Sequence, residues 1–135
     1  MDTTNIYYLT SNEINNIHKS NILIFNTILK IIVISKEGHT DNIDYLPPLL
    51  THLIFNDDVI YNYSFDNILP DSLIILKLND IYNIPLPKLP KGLKQLILGT
   101  HYDHPITRDI IPNTLKYIQT SIKYRYKLPI LPVTN

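Results

Sequence analysis

The chain has 135 residues, no net charge, no Cys and only three Gly. Its length suits one domain able to bury a core unaided. The lack of Cys excludes disulfide scaffolds, zinc ribbons and thiol nucleophiles, and it points to a reducing compartment. Ile (24), Leu (19), Asn (14), Tyr (10) and Pro (10) supply more than half of the residues, and Ala is absent. Ala is the best helix former, so its absence argues against a helical bundle, while Ile and Tyr favour strands. Gly38, Gly92 and Gly99 stand too far apart to form a phosphate-cradling loop.

Residues 1–23 open without a basic start followed by an apolar stretch, so no signal peptide is expected. Ser11-Asn12-Glu13-Ile14 is the start of an expected two-turn helix. The longest apolar run, Ile31–Ile34, falls far below the roughly 20 residues of a membrane helix, so no membrane partner is expected. A sequon, Asn62-Tyr63-Ser64, is read as a chance match in an Asn-rich chain. The expected location is cytoplasmic.

From residue 24 onward a repeat organises the chain. Leu-Pro or Ile-Pro begins a similar phrase at 46, 69, 89, 111 and 131, at spacings of 23, 20, 22 and 20. The phrases are LPPLLTHLIFN, LPDSLIILKLN, LPKGLKQLILG and IPNTLKYIQTS, and IFNTILKIIVI (24–34) is a Pro-less version. Their shared form is L-P-x-x-L-x-x-L-x-L. Pro fixes its own φ and pushes the preceding residue into extended backbone. The x-L-x-L-x part alternates with period two, as a half-buried strand does. A second phrase recurs on the far side of each unit: Tyr82-Asn83-Ile84-Pro85-Leu86, Tyr102-Asp103-His104-Pro105-Ile106, and weaker versions at Tyr61 and Tyr124. Its aromatic and terminal Leu or Ile should fill the core, and Asn should bond nearby backbone.

A period of 20–23 is that of a leucine-rich-repeat turn. The expected fold is a β-rich, leucine-rich-repeat-like solenoid of about five turns forming one parallel sheet. Residues 1–23 are expected to form a short N-terminal cap. Residues 24–135 are the expected solenoid, with units starting at 24, 46, 69, 89 and 111 and a truncated unit at 131.

The two phrases together resemble the FNIP repeat, a roughly 22-residue relative of the leucine-rich repeat. The resemblance covers residues 24–132 and is strongest over 69–106. It implies a binding module of social amoebae or of giant viruses that infect them, with a host-cytoplasm location if viral. Many relatives carry an F-box that links them to ubiquitin ligases. Residues 1–23 are too short for its roughly three helices.

The outward positions of the five expected strands are Lys30/Ile32, His52/Ile54, Ile75/Lys77, Gln95/Ile97 and Tyr117/Gln119. Ile32, Ile54, Ile75, Ile97 and Tyr117 should form a nearly continuous apolar ridge, the expected site for another protein, viral or host. The alternative is that other segments or a second copy cover this face. Basic residues among tyrosines, Lys116, Lys123, Arg125 and Lys127, form an alternative nucleic-acid surface. In Ile122–Lys127, alternation would put Ile122, Tyr124 and Tyr126 on one side. A ubiquitin-ligase receptor is a further alternative, and end-to-end stacking of copies another.

His101-Tyr102-Asp103-His104 offers His-x-x-His with a carboxylate, but it falls on the turn phrase, and a solvated loop is the preferred reading. Asp57-Asp58 lacks a partner pattern for glycoside chemistry. Ser72 and Thr114 sit at one repeat position and are read as turn bonders. No metal, cofactor or catalytic activity is expected. Residues 1–87 carry −6 and residues 88–135 carry +6, which on a rod would mark opposite ends.

Overall fold

A computed structural model describes residues 6–36 and 40–132. Six strands form one sheet: β1 (Ile6–Leu9), β2 (Lys30–Val33), β3 (His52–Phe55), β4 (Ile75–Lys77), β5 (Gln95–Ile97) and β6 (Tyr117–Gln119). Every neighbouring pair is parallel, and strand order in space equals order in the chain. With few helices, this arrangement is consistent with a β-rich solenoid.

Parallel strands need long crossovers, usually helical. Here the Leu-Pro phrases make them instead. In four successive crossovers the Pro carbonyl accepts the amide of the Leu three residues later: Pro47 from Leu50, Pro70 from Leu73, Pro90 from Leu93 and Pro112 from Leu115, at 3.1–3.2 Å. Each phrase is therefore a β-turn that delivers its closing Leu inward just before the strand. Leu50, Leu73, Leu93 and Leu115 are fully buried, as are the mid-strand residues Ile31, Leu53, Leu76 and Leu96. The core is thus a set of ladders, with aliphatic residues at each of these two repeat positions. Ile118, at the mid-strand position of β6, is only half-buried, because no further described strand packs beyond it.

The N-terminal segment departs from expectation. Ile6–Leu9 is a sixth strand, paired in register with Lys30–Val33. It lies in the stretch expected to be only a cap, and it carries no Leu-Pro phrase to reveal it. Helix α1 (Ser11–Ser20) is longer than two turns. The Thr10 hydroxyl accepts the Glu13 amide at 3.1 Å and the Glu13 carboxylate accepts the Thr10 amide at 2.9 Å, a reciprocal N-terminal cap. Ile14 enters the core. Asn15 clasps the next crossover, donating to Asn42 O at 2.8 Å and accepting from Asp44 N at 2.9 Å. A short helix α2 (Ile22–Phe25) follows, so the unit drawn from Ile24 begins inside a helix. Phe25 takes the core place expected of Ile24, which stays exposed.

Charge is also distributed differently from the two-ended rod. Residues 6–29 hold one acid, Glu13, and one base, Lys19. The acids gather between β3 and β4, a segment that holds Asp57, Asp58, Asp66 and Asp71 and no Lys or Arg. Lys77, Lys88, Lys91 and Lys94 follow directly, against Asp80 alone. The steepest change of sign is therefore mid-stack. The final Leu131 phrase lies partly outside the described residues.

Candidate functional site

Strand register sets the outward face of the sheet as two columns. Ile6, Lys30, His52, Ile75, Gln95 and Tyr117 align in one. Tyr8, Ile32, Ile54, Lys77, Ile97 and Gln119 align in the other. All ten expected outward positions fall in these columns, and none is fully buried. The apolar ridge is straight only over Tyr8, Ile32 and Ile54. Lys77 interrupts that column, and the apolar path crosses to Ile75, returns to Ile97 and ends at Tyr117 in the first. Tyr8, 60 % exposed, is a member that sequence reasoning missed, because its strand was not recognised.

Polar contacts tune this face. Lys77 Nζ reaches Asp57 Oδ1 at 2.9 Å and Phe55 O at 3.3 Å. His52 Nδ1 lies 2.8 Å from the Thr51 hydroxyl. Burial, and then the Lys30 ammonium beside it in the ladder, hold the His52 imidazole below its usual range. Tyr117 OH donates to Gln119 Oε1 at 2.8 Å, tying the two exposed side chains of β6 together.

The far side is built from a different set of ladders. Tyr82 OH donates to Tyr63 O at 2.8 Å, and Tyr124 OH donates to His104 O at 2.7 Å. Tyr61, Tyr102 and Tyr124 accept the amides of Ile43, Leu86 and Ile106 at 3.1 Å. Each tyrosine thus buries its ring and satisfies the crossover of the preceding turn. Burial pushes the Tyr61 and Tyr102 hydroxyls up to about 12 and raises Tyr82 as well. Asn62 Oδ1 accepts Asn83 N at 2.8 Å, and Asn83 Oδ1 accepts Asp103 N at 2.9 Å. The Asn residues bond the next turn and not their own, a distinction that a linear pattern does not carry.

His101-Tyr102-Asp103-His104 is part of this scaffold. Tyr102 is in the core. His101 Nδ1 lies 3.1 Å from Asp80 O and His104 Nε2 lies 3.1 Å from Asn83 O, so each ring faces a backbone carbonyl of the preceding turn. Asp103 takes Arg125 Nε at 2.8 Å, which holds its carboxyl below the usual range. Ser72 and Thr114 also act between turns. Ser72 Oγ lies 3.1 Å from Pro48 O and 2.7 Å from Leu50 O, and Thr114 Oγ1 lies 2.8 Å from both Lys91 O and Leu93 O.

The basic C-terminal residues fall in two segments of the chain. Lys116 precedes β6, whereas Lys123, Arg125 and Lys127 lie in the crossover after it. Arg125 is engaged by Asp103 and stacks over Tyr126 at 4.9 Å. The expected alternation over Ile122–Lys127 fails. The segment is irregular, not a strand, so Ile122 is fully exposed while Tyr124 and Tyr126 are half-buried.

These ladders repeat at the spacing of the Leu-Pro and Tyr-Asn phrases. Residues 82–120 match the family model of the FNIP repeat. That stretch is similar to the FNIP repeat. It runs from the Tyr82 phrase through β5 and the Tyr102 phrase to the end of β6, and it contains one complete inter-turn unit with its hydrogen-bond ladders. No curated protein and no solved structure matches the chain.

Proposed function

We propose that the chain is a non-catalytic protein-binding module that presents the outward face of its sheet to a partner. The observation that carries this reading is the apolar path from Tyr8 through Ile32, Ile54, Ile75 and Ile97 to Tyr117, with no described segment packed over it. An FNIP stretch within a parallel sheet supports it, since repeat stacks commonly bind through such faces. Backbone already ordered by the stack loses little entropy on binding. In this reading the strands belong to one solenoid of 20–23-residue turns, and residues 1–23 close its first turn. The partner is a viral or host protein in the cytoplasm of the cell that makes the chain.

Nucleic-acid binding through Lys116, Lys123, Arg125 and Lys127 is disfavoured, because Arg125 is already paired and the four are split between two segments. The test is the double variant Ile54→Asp/Ile97→Asp. Both side chains are only partly buried and lie in the outward column, so the variant should fold. Partners cross-linked to the parent protein in its native cells should be lost from the variant. Retention of the same partners would refute the sheet face as the site.

A further inference from the structure

The outward columns of the sheet have a chemical bias. The chain holds twelve acidic residues, and none lies in any of the six strands. The bias does not follow from composition, because residues 1–87, which supply β1 to β4, carry −6. The cations on or beside the face are Lys30 and Lys77 in the columns and Lys94 and Lys116 one residue before β5 and β6, and the carboxylates beside it are Asp57 and Asp80, which share a groove with Lys77, Ile97 and Gln119. Lys94 and Lys116 are on adjacent turns, with Lys116 N donating to Lys94 O at 2.9 Å, and both are exposed. Of the four, only Lys77 has an ion pair among the described residues, with Asp57 at the edge of the face.

Resting on the sheet-face reading above, we propose that the partner segment is acidic, with aliphatic or aromatic side chains set between its carboxylates. Apolar anchors would pack on Ile54 and Ile97, excluding water from the centre. Carboxylates would meet the lysines at the margin, where they steer encounter and fix register. Acidic proteins fit this face better than nucleic acid does. Bases stack on aromatic rings, whereas the centre here is Ile. The two exposed tyrosines of the face, Tyr8 and Tyr117, lie five strand spacings apart, about 24 Å.

The experiment is a selection of random linear peptides displayed on phage against the full chain. Selected peptides should be enriched in Asp and Glu together with Leu, Ile or Phe. Their synthetic versions should lose binding to Ile54→Asp/Ile97→Asp. They should weaken about tenfold on Lys30→Glu/Lys94→Glu, which leaves the Lys77–Asp57 pair intact. Apolar peptides without acidic enrichment, still lost from the Ile variant, would overturn the acidic partner and leave the sheet face standing. Acidic peptides unaffected by the Ile variant would overturn the sheet face itself. An empty selection, or tighter binding of polyuridine RNA than of any selected peptide, would overturn the proposal.

Discussion

Ser72 and Thr114 occupy the residue two after the Pro of their phrases, and each hydroxyl lies within reach of two carbonyls of the preceding turn. The phrase between them has Gly92 at that position. A Cβ built on Gly92 would stand 3.6 Å from Asp71 O and 3.9 Å from Leu73 O, which is ordinary contact. These are the carbonyls equivalent to Pro48 O and Leu50 O below Ser72. Gly92→Ser should therefore complete the ladder. One hydroxyl hydrogen bond contributes about 1 kcal/mol net. Removing a Gly from the unfolded chain adds about 0.4–1 kcal/mol. The sum is about 1.5–2 kcal/mol, or roughly 5 °C in Tm for a domain of this size. Gly92→Ala separates the two parts, since it keeps the backbone gain and lacks the hydroxyl. Urea denaturation should show a rising midpoint in the order Gly, Ala, Ser at constant slope. If Ser does not exceed Ala by about 0.5 kcal/mol, the hydroxyl bridges do not stabilise the stack.

Gly99 gives the opposite expectation. A Cβ there would lie 2.6 Å from Asp80 Cα and 2.7 Å from Asn79 O, both backbone, so Gly99→Ala should cost about 1–3 kcal/mol in the same assay. The buried tyrosines predict an alkaline limit. Their folded pKa values lie above the unfolded value of about 10. Their stabilisation is thus fully present below pH 10 and is lost as pH rises through the folded values. With Tyr61, Tyr82 and Tyr102 acting together, stability should fall by up to about 4 kcal/mol per pH unit above pH 10. Tyrosinate absorbance should then rise in step with loss of circular dichroism. All tyrosines titrating near pH 10 with the fold intact would contradict the buried ladder.

The sequence by itself determined the strands from β2 to β6 and which of their faces points inward. Leu-Pro punctuation and period-two alternation are local signals, and each repeat restates them. Leu53, Leu76 and Leu96 could be placed in the core from spacing alone. The Tyr-Asn phrases were legible as the far side for the same reason, and Tyr82 and Tyr102 are buried there. β1 was not legible, because Ile6–Leu9 is apolar throughout and gains its strand conformation from pairing with β2. Only the tertiary structure decided how the turns bond to one another. Asn62, Asn83, Ser72 and Thr114 each reach about twenty residues along the chain, to partners that are neighbours only once the turns are stacked. Register likewise split the apolar ridge. Alternation assigns a residue to a face, but only strand pairing assigns it to a column, so Lys77 came to stand between Ile54 and Ile97. The charge division visible in the composition was resolved in the same way. Stacking turned two halves of opposite sign into an acidic segment between β3 and β4, next to a basic one, beside strands that contain no carboxylate.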